Sequence, residues 1–197
     1  MPINFSDASG GFNSLIPDNP SVIVQMSVIG GGAGQHGELS RATTGTEMLK
    51  CKFVVLSGEH AQKVFYNNFI VDPTKERATA ISHGKLKSIL DSAFNIDPKD
   101  VTSAEARARR DRDYKDFDGL RFIAVAGIEA EKIENGNTYP PKNVLAGVIT
   151  NDHPDWGKYG PIAQVQSALS TATPATTPVN GPVVPPMPVQ KPKWAEG

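Results

Sequence analysis

Residues 47–56 read EMLKCKFVVL. In an extended chain Leu49, Cys51, Phe53 and Val55 fall on one face, and Met48, Lys50, Lys52 and Val54 on the other. A two-residue period with lysines on one side is the pattern of a strand with one buried face and one wet face. Working outward, residues 21–29 (SVIVQMSVI) are β-rich and bounded by Pro20 and Gly30, which predicts a strand before it. After the turn residues 57–60 (SGEH), residues 62–71 (QKVFYNNFIV) predict a third strand, antiparallel to the second. Its faces compete: Phe65 and Phe69 lie on one, Val64, Tyr66 and Ile70 on the other. Exposing two phenylalanines costs more than exposing one amphipathic tyrosine. Phe65 and Phe69 are therefore placed in the core, and Tyr66 on the face that carries Lys50 and Lys52.

Farther along, residues 82–94 (SHGKLKSILDSAF) bring Leu86, Ile89, Leu90 and Ala93 to helical spacing, with Ser82 as the expected N-cap. Residues 119–130 predict a fourth strand. Residues 143–150 predict a fifth, reached through the turn-rich residues 135–141. One helix cannot cover both faces of a doubly wound sheet. Five strands with a helix between the third and fourth is instead the order of the OB-fold, a partly open Greek-key barrel. The expected architecture is mainly β: a five-stranded OB-fold barrel over residues 1–160.

The composition changes near residue 160. Residues 161–197 hold 8 of the 16 prolines and three charged residues. Such a segment is expected to be a disordered tail with polyproline-II character. The whole chain has 197 residues, 20 basic against 21 acidic, for a formal net charge of −1. A nucleic-acid site must then be a local patch rather than a global polycation. The single cysteine, Cys51, excludes an internal disulfide and suits a reducing compartment. Neither a signal-peptide pattern nor a stretch of 18 apolar residues is present, so a cytoplasmic protein with no membrane span is expected.

Several motifs are weaker than they look. Residues 32–37 (GAGQHG) spell G-x-G-x-x-G after a strand. A dinucleotide site needs an amphipathic helix next, and residues 38–45 (ELSRATTG) cannot bury a helical face. A flexible loop is the expectation. His36, His60, His83 and His153 are scattered, with no zinc spacing, so no metal or other cofactor is expected. No nucleophile elbow, phosphate loop or H-E-x-x-H occurs, and Asp152, His153 and Asp155 have no nucleophile beside them. A non-enzymatic protein follows. Residues 105–118 carry five basic and five acidic residues. Arg107, Arg109, Arg110 and Arg112 could bind phosphates, but a solvated, self-compensating segment is the simpler reading.

The strands carry the better signal. Lys50, Lys52, Lys63, Tyr66, Arg121, Tyr139 and Lys142 combine basic groups that can track a phosphate backbone with rings on which bases can stack. The same residues carry a likeness. Residues 43–56, Gly58, residues 63–69 (KVFYNNF), residues 85–90 (KLKSIL), residues 118–122 (DGLRF) and Lys142-Asn143 together resemble a family of phage-encoded OB-fold single-stranded-DNA-binding proteins, long catalogued as a phage domain of unknown function. The likeness spans roughly residues 15–155. It implies single-stranded DNA as ligand, in a phage or prophage replication or recombination cassette in the host cytoplasm. It also implies replication or recombination proteins as partners of the tail. Proteins that bind single strands usually end in an acidic tip, and this chain ends KPKWAEG. Self-association is left open. The alternative is an interaction or assembly module acting through the proline-rich tail.

Overall fold

The computed structural model describes residues 15–134 and 136–159; the proline-rich segment 161–197 lies outside them. The strands begin with β1 (Ser21–Ile29), the two-residue β2 (Ser40–Arg41), β3 (Glu47–Val55) and β4 (Val64–Ile70). Two helices follow, α1 (Glu76–Phe94) and α2 (Ala104–Arg110), then a 3-10 turn at Tyr114–Phe117. The chain continues through β5 (Arg121–Glu129), β6 (Lys132–Glu134), β7 (Asn137–Tyr139) and β8 (Lys142–Ile149) to a second 3-10 turn at Trp156–Tyr159.

The protein is mainly β and antiparallel. Its long strands run in the order β4-β3-β1-β5-β8, with β2 an extra partner of β3. Among the described residues the sheet does not close: no ladder joins β4 to β8, and a closed barrel is not found. Alternation works as the sequence predicts. Leu49, Cys51, Phe53 and Val55 are buried, and so are Phe65 and Phe69. Phe53 sits at the centre of the core, 5.1 Å from the Phe65 ring and 5.8 Å edge-on from Phe122. Edge-to-face contacts of this kind add to the area that the rings bury. From α1, Leu86, Ile89, Leu90 and Ala93 complete the core.

Two local expectations are corrected, at the start of α1 and after β5. The helix begins at Glu76, so Ser82 is not its cap; Ser82 lies buried inside the helix, and Lys75 precedes it without a side-chain cap bond. Asp72 does the ordering at this end. Its carboxylate accepts the Thr74 N–H and hydroxyl at 2.9 and 2.7 Å, and the Glu47 N–H at 3.3 Å. The Thr74 hydroxyl bond is the main reason its carboxyl lies below its usual range. Between β1 and β2, residues 30–37 form the expected loop, closed by its own backbone hydrogen bonds. Gly31 and Gly32 N–H both donate to Gly37 O, and a Cβ at Gly31 would run into Ser40, so the close approach requires glycine. Last, the turn-rich residues after β5 contain a two-stranded hairpin, β6 with β7.

Candidate functional site

Register decides which predicted residues meet. Lys52 stands directly across from Tyr66, and Lys50 across from Asn68. On the other side of β3, Lys52 faces Ser27 and Lys50 faces Ile29. The outward side of β1, β3 and β4 is therefore one surface, with Lys50 and Lys52 at its centre and Tyr66, 55% exposed, beside them. Neither lysine forms an ion pair among the described residues. Arg121 belongs to the same surface. It pairs with Gln25 across the β1–β5 ladder, and its Nε donates to Gln25 Oε1 at 3.2 Å.

Lys63 does not join them. It precedes β4, after Gln62 has turned the chain through a φ of 68°, and it shares the inward parity of Phe65. Its Nζ donates to Leu15 O at 3.4 Å. Lys142, at the start of β8, pairs with Glu129 at 3.1 Å. Lys63 and Lys142 instead line a cleft of about 510 Å³ where β4 and β8 come alongside without pairing. Tyr66 lines its rim and so belongs to both the lysine surface and the cleft. Tyr139 sits on the β6–β7 hairpin, across from Lys132 and half exposed. It is brought to neither group.

Of the arginines in residues 107–112, Arg109 and Arg110 are tied into the fold, while Arg107 and Arg112 are exposed. Asp91 of α1 is fully buried and bonds Arg110 at 2.6 Å and Lys87 at 2.7 Å. Arg110 also donates to Asp97 O at 3.0 Å and to Asp100 O. Arg109 donates to Phe94 O at 2.9 Å, and Arg112 lies 5.3 Å over the Phe94 ring. Sequence spacing could not show this, because the key acid lies on a different helix.

Sequence reading also passed over Asn67 and Asn68, which line the cleft. The signal was present: an asparagine stands between Phe65 and Phe69 on a face otherwise apolar. Burial pushes the Cys51 thiol far above its ordinary pKa, which makes it a core side chain rather than a reactive one. Among the described residues, no group of three or more His, Cys, Asp or Glu is placed to hold a metal. No helix there is long and apolar enough to cross a membrane.

Comparison with known families finds no matching family model, and comparison with curated proteins finds no match either.

Proposed function

We propose that this protein is a non-enzymatic binder of single-stranded DNA, working in a phage or prophage replication or recombination setting. The outward side of β3 and β4 is its principal surface. The carrying observation is the Lys52–Tyr66 pairing with Lys50 on the same side. It supplies two cations without acidic partners among the described residues, next to an exposed ring. Cations that follow the backbone and rings that stack on bases are how single strands are held without reading sequence. The strand order β4-β3-β1-β5-β8, with the helices between β4 and β5, supports an OB-fold reading. In that fold the second and third strands and the two loops flanking the sheet form the binding side. Here those strands are β3 and β4.

The test is a titration of labelled poly(dT) at two salt concentrations, with duplex DNA as competitor. Binding that weakens steeply with salt and resists duplex competition is expected. Absence of binding at low salt, or equal displacement by duplex, overturns the reading.

A further inference from the structure

Asn67 has no evident structural employment. It lies on the core-facing side of β4, between buried Phe65 and Phe69, and across the ladder from buried Cys51. It is itself half-buried. A primary amide carries two donors and an acceptor, yet this side chain makes no hydrogen bond to any described residue. No buried side-chain nitrogen or oxygen among the described residues lacks a partner, so the Asn67 amide is accessible and open to a ligand rather than sealed in the core. Asn67 also lines the cleft between β4 and β8. At about 510 Å³ this cleft falls in the range of small-ligand sites, roughly 300–1,000 Å³. Asn68 and Tyr66 line it too, so it opens beside the lysine surface, where a strand crossing Lys50 and Lys52 would pass.

We propose that this cleft takes one unstacked nucleobase of the bound strand, read by the Asn67 amide, and that adenine is the base it favours. The proposal rests on the single-strand reading and adds a point of sequence preference to it. Bases of single strands can be splayed out, stacked on an aromatic ring and hydrogen-bonded along their free edges. An asparagine amide offers a donor beside an acceptor, and adenine answers it with the N6 amino group beside a ring nitrogen. Adenine does so on both of its free edges, which doubles the poses that fit. Tyr66 at the rim supplies the ring. Lys63 and Lys142 flank the cleft; the surface pair of Lys142 with Glu129 is weak enough to yield to a phosphate.

The experiment uses the full chain and thymine oligomers with interspersed adenines. These are compared with the same oligomers carrying purine, which lacks the 6-amino group, at each adenine. Wild type is expected to bind the adenine form roughly fivefold or more tightly. Asn67→Leu should erase that difference, leaving adenine and purine oligomers bound alike. Equal binding of adenine and purine oligomers by wild type overturns the proposal, as does a preference that survives Asn67→Leu. If Asn67→Leu does not fold, the comparison on wild type decides alone. Loss of all binding to poly(dT) by wild type would instead remove the single-strand reading itself, and this proposal with it.

Discussion

Two parts of the molecule are rich in cations and use them in opposite ways. At the corner of α1 and α2, Asp91 is sunk in the protein and two cations close over it. Arg109 and Arg110 also satisfy carbonyls at the end of α1 and in the loop beyond it. On the outward side of β3, Lys50 and Lys52 have no such acids among the described residues, and their neighbours are Ser27, Ile29, Tyr66 and Asn68. Counting arginines in a stretch of sequence would have chosen the corner as the anionic-ligand site. Partnership, not number, separates the two: a cation already spent on a buried carboxylate has little left for a phosphate.

That contrast breaks first at Asp91. Asp91→Ala leaves Arg110, whose side chain is 13% exposed, without its carboxylate. Removing one partner of a buried pair costs about 3–5 kcal/mol, so a fall in melting temperature on the order of 10 °C is expected. Binding of poly(dT) measured well below the transition should stay as it was. A variant that melts like wild type would mean the corner is not held by this pair.

Tyr66→Ala tests the other side. Loss of a stacked base should weaken poly(dT) binding by about 1–3 kcal/mol with little change in salt dependence. Its melting temperature should scarcely move, because the ring is more than half exposed. Unfolding would show that the ring carries part of the core. Lys50→Ala together with Lys52→Ala should reduce the magnitude of the log-salt slope by about 0.7 for each phosphate contact removed. An unchanged slope would put the phosphates elsewhere.

Smaller effects sharpen the contrast. Arg107 is exposed, and its Nε reaches Val101 O at 3.3 Å; Arg107→Ala should cost less than about 1 kcal/mol of stability and leave the salt slope alone. A flatter slope would return the arginine segment to the binding side. Acid should loosen the corner by a modest amount. The Ser103 hydroxyl, donating at 2.6 Å, holds the Asp100 carboxyl below its usual range. Because the folded pKa is depressed, this stabilisation is complete above the ordinary carboxylate range and is lost as pH falls through the folded value. Asp100→Asn should therefore blunt the acid sensitivity of unfolding, which a pH series of melts would read.

The strands and their faces were legible because a two-residue period survives in a single sequence. The alternation of 47–55 and the choice of Phe65 and Phe69 over Tyr66 follow from apolar area alone. The start of α1 was not legible. Its first turns, Glu76 to Ile81, put Arg77 and an exposed Ile81 where a periodic apolar stripe would be sought. Nor was the role of Arg110, which depends on an acid 19 positions away and appears only when two helices meet. For the site, the Lys50–Lys52–Tyr66 grouping could be read because it lies in one hairpin. Lys63 was misplaced although plain alternation sets it on the Phe65 face, opposite Tyr66, and Lys142 and Tyr139 depend on a hairpin that short polar strands do not announce.

The unpaired seam between β4 and β8 has a consequence for handling as well as for binding. The Val71 N–H reaches Glu47 O and the Val55 N–H reaches Lys63 O, so the odd-numbered residues of β4 belong to the ladder with β3. By the alternation of an antiparallel strand, the N–H groups of Val64, Tyr66, Asn68 and Ile70 then point toward the seam. Among the described residues these donors have no strand partner, and a row of such donors is what lets one folded chain recruit another as an extra strand. Here the row faces β8 across the cleft, so a strand that used these donors would have to enter the cleft itself.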